Sequence, residues 1–541
     1  MDINITQQII DELIKSDIKS INDLDKFKRK ISGKFCIPIL TNSELLKEYN
    51  ILISKNKDLE NSGLAELLKK RKIRTMSGVA PVAVLTKPYK CPGECIFCPT
   101  EKQMPKSYLS NEPAVMRAIL TNFDPYLQVK VRIDALEKNG HNTDKIELIV
   151  MGGTWSYLPK DYQTDFIKQC FDACNNVESK NLDQAQKINE TAKHRIIGLT
   201  LETRPDYINK EEIISMREIG CTRVELGVQT IDDYILQLNK RNIKAQGVAD
   251  ATLLLKNAGF KVCYHLMPNL PGADLKKDLE MFKQIFEDSR FKHDMIKIYP
   301  CVVTKNSKLY QWYLDGKYQP YTEKELINLL FEMKKAIPEY VRITRLIRDI
   351  PKESIVAGNK VSNLREIVQH KLKEENLSCK CIRCREAKNQ TTDISQAKFF
   401  IKKYQTKGGT EYFLQYCSFD KKILYAFLRL RLPENKDNFI TELTGAAMIR
   451  EVHTYGKLVP INESNNKAVQ HFGFGKRLMI KAEQISQEKG FSKMAVISGI
   501  GVREYYKKLG YQLEGTYMVK NFKIPNPKMQ DNFKFQNQKS K

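Results

Sequence analysis

The sequence predicts an α/β chain: an open, partial (βα)6 barrel followed by a C-terminal α+β domain. Three observations carry that prediction. Short apolar runs recur at Val79–Leu85, Ile146–Met151, Arg195–Leu201, Arg223–Val228, Lys261–Met267 and Met295–Tyr299, with a helical pattern in each gap. Several of those helices end in glycine, at Gly140, Gly220 and Gly259, which supplies a left-handed cap before the next strand. From residue 396 the rhythm changes to long alternating runs at Phe399–Tyr404, Tyr412–Ser418 and Ile423–Leu432, continued by Gly445–His453 in the manner of an antiparallel meander. Strands alternating with helices imply parallel pairing through right-handed crossovers. Six strands fall short of a closed eight, and in such folds chemistry gathers at the carboxyl ends of the strands.

At 541 residues the chain is expected to hold two or more domains. Residues 1–75 are basic and helical in pattern, with Ile9, Ile10, Leu13 and Ile14 on one stripe. Their run Leu68–Arg74 is either a solvated helix face or a track for a phosphate backbone. The barrel is assigned to 76–345, an irregular polar connector to 346–395, the second domain to 396–520, and a disordered basic tail to 521–541. Basic residues number 89 against 64 acidic ones, a net charge of +25. That excess points to nucleic acid as a partner, and a Lys-rich composition is the competing explanation. Met1–Ser16 has acidic residues and no apolar segment of a secretory leader. No run approaches the ~18 apolar residues of a membrane span. The 13 cysteines are therefore read as reduced, in a cytosolic compartment, with a subset binding metal.

Three of them, Cys91, Cys95 and Cys98, form a C-x3-C-x2-C loop directly after the first apolar run. Iron–sulfur clusters are held by thiolates at such spacings. Three ligands on a [4Fe-4S] cluster leave one iron open to bind S-adenosylmethionine and cleave it to a carbon radical. The alternative is a structural zinc site, which needs a fourth ligand that does not lie nearby in sequence.

Polar and glycine residues then recur at the strand ends: Gly152-Gly153-Thr154, Glu202-Thr203-Arg204, Glu225 through Gln229, and His265. Glycines after a strand let a ligand approach the backbone. In the connector, Cys379, Cys381 and Cys384 form a second trio, read as a zinc pin, with Cys301 and His370 as candidates for a fourth ligand. In the last domain Gln470-His471-Phe472-Gly473-Phe474-Gly475 opens the helix Lys476–Glu488. Free backbone N–H groups and the helix dipole make such a loop an anion pocket suited to a pyrophosphate. Tyr505 or Tyr506 follows where a general acid could protonate a departing thiolate, or both pack the helix on the sheet.

Together these segments resemble the catalytic subunit of the Elongator complex and its free-standing microbial relatives, a family joining a radical SAM barrel to a GNAT acetyltransferase domain. The resemblance spans about residues 70–515. It rests on Arg74–Ala80, the cysteine loop, Asn111–Ala118, Met151–Thr154, Glu202–Tyr207, Glu225–Gln229, Lys297–Pro300, Ala357-Gly358, Asn363–Glu366, Cys379–Glu386 and the 470–511 core. The short first gap of the cysteine loop is similar to the microbial type, so Elongator partner subunits are left open.

The resemblance implies a tRNA wobble-uridine acetyl/carboxymethyltransferase, using acetyl-CoA and a 5′-deoxyadenosyl radical to modify C5. It implies that Cys91, Cys95 and Cys98 bind the cluster and that Gly152, Gly153 and Thr154 hold the amino group of S-adenosylmethionine. Glu202, Gln229 and His265 are rim residues of the same pocket, and Lys297 and Tyr299 lie where tRNA or the acyl group is met. Gln470, His471, Phe472, Gly473, Phe474, Gly475 and Lys476 cradle acetyl-CoA, with Tyr505 and Tyr506 beside it. Expected partners are the tRNA anticodon stem-loop and an electron-donor protein; a homodimer is open, and no membrane is involved. The competing readings are a protein lysine acetyltransferase with a merely structural barrel, and a non-enzymatic tRNA scaffold.

Overall fold

Seven parallel strands, one more than the sequence pattern predicts, form the first sheet of this computed structural model, which describes residues 3–59, 61–69, 78–387, 394–455 and 473–522. They are β1 Ala80–Leu85, β2 Lys145–Met151, β3 Arg195–Thr203, β4 Arg223–Gln229, β5 Lys261–Leu266, β6 Met295–Ile298 and β7 Arg342–Arg345, neighbours in chain order. The seventh escapes a search for apolar runs because Ile343 is its one apolar residue. Its parallel pairing with β6 makes it a strand.

Side chains alternate along each strand, and the two faces have different fates. Val82 and Val84, Leu148 and Val150, Val224 and Leu226, Val262 and Tyr264, Ile296 and Ile298 join the helices in one continuous buried core. The opposite face turns inward. The helices begin at side-chain caps: Asp124, Asn209, Asp232 and Asp274 each accept the backbone N–H three residues on. Such a cap contributes about 1 kcal/mol. Gly140, Gly220 and Gly259 take φ of +78°, +89° and +86°, as a left-handed terminator requires.

The N-terminal helices Ile3–Lys15, Ile21–Phe35, Asn42–Lys55 and Ser62–Leu68 pack on a small core of their own around Leu13, Leu24, Leu45 and Tyr49. Most of the basic run beginning at Leu68 lies outside the described residues. The connector is more regular than its polarity suggests. It contains the helix Leu364–Glu374, whose Leu364, Val368 and Leu372 are buried four residues apart. The charged residues between them hide that stripe.

The second sheet comprises β8 Lys398–Thr406, β9 Gly409–Cys417, β10 Leu424–Pro433, β11 Ala446–Thr454, β12 Lys493–Val496, β13 Gln512–Glu514 and β14 Tyr517–Asn521, in the order β13-β14-β12-β11-β10-β9-β8. All its pairs are antiparallel except β11 with β12. This mixed sheet docks on the amino ends of the barrel strands through a buried ionic core. Arg450 of β11 bonds Asp294, just before β6, at 2.9 Å and Glu411 of β9 at 3.1 Å. Lys256 reaches Glu411 at 3.4 Å, and all four side chains are at most 2% exposed. Removing one member of such a pair costs about 3–5 kcal/mol. Gly499 lies against the Ile197 carbonyl, where any Cβ would collide. The base of the barrel is thus covered, and its carboxyl end carries the cysteine loop.

Candidate active site

A cavity of about 760 Å³ occupies the barrel lumen. Many of the strand residues that line it are charged or polar, interspersed with apolar ones such as Ala83, Ile149 and Met295. Glu147 of β2, Arg223 of β4 and Arg342 of β7 lie at the base. Glu225 and Lys297 fill the middle. His265, Tyr299, Gln229, Gly153 and Thr154 form the rim with Cys91, Cys95 and Cys98. Period-two alternation therefore gathers residues far apart in sequence on one wall.

The cysteine loop is set up to hold a metal–thiolate group. The Gly93 N–H donates to Cys91 Sγ at 3.4 Å, and Arg241 Nη1 donates to Cys95 Sγ at 3.6 Å. Thr154 Oγ1 lies 3.8 Å from Cys91 Sγ. Arg204, bonded to Asp206, covers Gly93 so closely that a Cβ there would collide with it. Burial, with Cys95 beside it, pushes the Cys98 thiol up to about 11. N–H donors aimed at two of the three sulfurs suit thiolates bound to iron, whose properties follow such hydrogen bonds. Gly153 and Thr154 face the cavity. Gly152 does not: at φ +128° it backs onto Thr86, leaving no room for a side chain. Gln229 adopts φ +73°, a strained conformation for a side chain with a Cβ and of a kind stored at functional sites.

Below the rim, Glu225 receives Lys297 and accepts from His265 Nε2 at 2.8 Å. Glu202 lies 3.5 Å from Lys297 Nζ and accepts from Tyr108 Oη at 2.7 Å. The Tyr299 ring meets His265 edge-on at 5.5 Å. Burial opposes the charge on Lys297, but Glu225, Tyr299 and Glu202 outweigh it and hold the ammonium well above the usual lysine value. Burial likewise opposes ionisation of Glu225, and Lys297 and His265 hold its carboxyl well below the usual range. Lys297 is thus a fixed cation and hydrogen-bond donor, unsuited to be a base. Tyr108 and Arg241 are additions to the residues the sequence picks out. Glu225 carried a signal, being a charge in the middle of the strand Arg223–Gln229.

In the second sheet, β11 and β12 pair from Ala446 with Lys493 to Ile449 with Val496 and then part. The far end of β11 meets the first turn of the helix Phe474–Glu488, whose N-cap Gly473 has φ +66°. A Cβ on Gly475 would lie 3.1 Å from Tyr505 Oη and 3.7 Å from Thr454. Tyr505, 40% exposed, is therefore the tyrosine placed at that opening. Tyr506 is buried against Tyr505 and Tyr511 as a core residue. Phe474 is also core, its ring stacked on Tyr416 at 4.6 Å, whereas Lys476 is exposed. Gln470, His471 and Phe472 lie outside the described residues.

The connector thiols Cys379, Cys381 and Cys384 all lie within 4.8 Å of one another. Neither proposed fourth ligand joins them. Cys301 packs beside Tyr318 in a separate small core, and His370 is exposed and bonded to Glu374 at 2.9 Å. No helix among the described residues is long and apolar enough to cross a membrane.

A family model for the Radical SAM superfamily matches residues 86–285, and one for the Radical_SAM C-terminal domain matches 293–374. The chain is 45% identical over 533 residues to the tRNA uridine(34) acetyltransferase of Methanocaldococcus jannaschii, covering 95% of this chain and 97% of that one. It is 39% identical over 473 residues to Elongator complex protein 3 of Homo sapiens, covering 84% and 86%. Among solved structures, the archaeal Methanocaldococcus infernus Elp3 with an N-terminal deletion superposes with a TM-score of 0.73 at 44% identity, over 83% of this chain and all of that one. The chain belongs to the family of tRNA uridine(34) acetyltransferases and Elongator complex protein 3, and its barrel to the Radical SAM superfamily.

Proposed function

We propose that this chain modifies C5 of the wobble uridine of tRNA, taking an acetyl unit from acetyl-CoA and radical chemistry from S-adenosylmethionine. One observation carries the reading: a single lumen is lined by Cys91, Cys95, Cys98, Gly153, Thr154 and the fixed cation Lys297, in a chain whose second sheet opens beside Gly475 and Tyr505. Relatives named for tRNA uridine 34 support the substrate. A radical suits the target, because C5 of uracil is a poor nucleophile for acyl transfer. When bound, a [4Fe-4S] cluster with one open iron would supply that radical from S-adenosylmethionine, given an electron from a donor protein.

The chain's own residues do the rest. Cys91, Cys95 and Cys98 would hold the cluster, with Gly93 and Arg241 donating to their sulfurs. Gly153 and Thr154 leave the adjoining space for the amino group of S-adenosylmethionine. Lys297 keeps its proton and polarises a carbonyl oxygen of the uracil or thioester, while Glu225 fixes its position. The second sheet covers the base of the barrel, so the lumen is entered from the end that carries the cysteine loop. Tyr505 holds a proton for the departing thiolate. A net charge of +25 favours the tRNA backbone, and the connector trio holds zinc. The enzyme acts in the cytoplasm, with its tRNA.

The test is mass spectrometry of wobble uridines from cells lacking the protein, together with acetyl-CoA turnover by purified protein. Loss of the C5 modification, and turnover raised by tRNA but not by a histone peptide, is expected. Lysine acetylation independent of tRNA would favour a protein acetyltransferase instead.

A further inference from the structure

The connector trio sits among cations that the described protein does not balance. Lys334, on the helix Glu323–Ala336, is 0% exposed, and its ammonium has no hydrogen-bond partner among the described residues. Arg365, on the neighbouring helix Leu364–Glu374, donates Nη2 to the carbonyls of Ile343 and Thr344 at 3.1 and 3.2 Å. Its Nη1 is buried without a hydrogen-bond partner among the described residues. The two helices pack on each other, and Arg365 lies one turn before Gln369 on the second. Gln369 Nε2 adds a donor 3.6 Å from Cys384 Sγ.

A buried ammonium with no hydrogen bond or ion pair among the described residues costs several kcal/mol, so it is not retained without compensation. Three neutral thiols offer no charge. Three thiolates around one divalent ion carry a net charge of minus one, which offsets a nearby buried cation. Thiolates select zinc over hard cations such as magnesium or calcium.

We infer that Lys334 and Arg365 are the counter-ions of a three-thiolate zinc centre at Cys379, Cys381 and Cys384, and that their charges stabilise it where a fourth protein ligand would otherwise stand. The inference rests on the zinc reading of the trio. The fourth coordination position is then left to water or another small ligand, and Lys334 and Arg365 act as positioning residues that touch no substrate.

The experiment measures zinc content and affinity by competition with a chromophoric chelator at fixed pH. It uses full-length protein whose cysteine loop has been filled by cluster reconstitution. Wild type is expected to hold zinc, Lys334→Met to bind it about 10–100-fold more weakly, and Lys334→Arg to restore most of the affinity. Arg365→Gln is expected to weaken binding in the same direction. Thermal unfolding of metal-free protein gives the second readout. There Lys334→Met is expected to unfold at a higher temperature than wild type, because it removes an uncompensated charge. Equal zinc affinity in wild type and Lys334→Met, or a metal-free variant less stable than wild type, overturns the inference and leaves the zinc reading standing. Absence of zinc from wild type overturns both.

Discussion

Replacing Glu225 by Gln tests the electrostatic design of the lumen. The carboxylate is 1% exposed; it accepts from His265 at 2.8 Å, bonds Lys297 and faces Arg223 Nε at 3.6 Å. Gln keeps the shape but removes the charge and turns an N–H group toward cations. Lys297 is left with Glu202 at 3.5 Å. Removing one partner of a buried pair costs about 3–5 kcal/mol. At about 1.4 kcal/mol per tenfold, that is roughly two to three and a half orders of magnitude in local opening. Hydrogen exchange read by mass spectrometry on peptides covering β4 to β6 measures it, with the helix Ile21–Phe35 as internal reference. Exchange in β4 to β6 is expected to quicken by that factor at pH 7, and the reference to stay unchanged. The pH dependence has a definite sign. The folded Glu225 carboxyl is held below its unfolded value of 4.5, against the effect of burial and chiefly by Lys297. Its contribution is therefore fully present above about pH 4.5 and fades as pH falls through the folded value. Wild type and variant should converge in acid. A change under about tenfold at pH 7, or a gap that widens on acidification, would refute the reasoning.

Tyr505→Phe is expected to lower tRNA-stimulated acetyl-CoA turnover by about 10²-fold or more, the scale of a lost general acid. Tyr506→Phe should leave turnover within a few-fold of wild type and register in thermal stability, because that ring is buried in the core. Asp278 accepts from the Asn269 N–H at 2.7 Å and Tyr321 Oη at 2.8 Å, and burial raises its carboxyl from 3.8 to about 6. For this acid the neutral form is favoured by folding, so stability falls as pH rises between those values. Asp278→Asn keeps an accepting oxygen and is expected to gain about 3 kcal/mol above pH 6, with no gain below pH 3.8, by denaturant unfolding.

Much of this molecule is legible in its sequence, for identifiable reasons. The cysteine loop announces itself because thiolate ligands must crowd together on a short segment. The strands β1 to β6 announce themselves because both faces of a parallel strand are covered, so apolar residues run together. The same rule hides β7, where arginines at both ends belong to the lumen and to the edge. Glu225 stands out in the sequence, but its pairing with Lys297 and His265, on strands 40 residues and more away, does not. Glycines read alike in sequence and differ in space: Gly153 opens the cavity, whereas Gly152 makes room for Thr86. Tyr505 and Tyr506 are adjacent in sequence but differ in exposure. A short helix turns one toward the opening and the other into the core. The connector trio is plain in sequence. Its charged neighbours Lys334 and Arg365, on two other segments, are not.

The most direct measurement of the central claim is 5′-deoxyadenosine formed from S-adenosylmethionine under dithionite by anaerobically reconstituted protein, compared with Cys95→Ala. Wild type should be brown and make 5′-deoxyadenosine, and the variant should be pale and make none. A wild-type protein holding zinc at Cys91, Cys95 and Cys98 and forming no 5′-deoxyadenosine would contradict the radical reading.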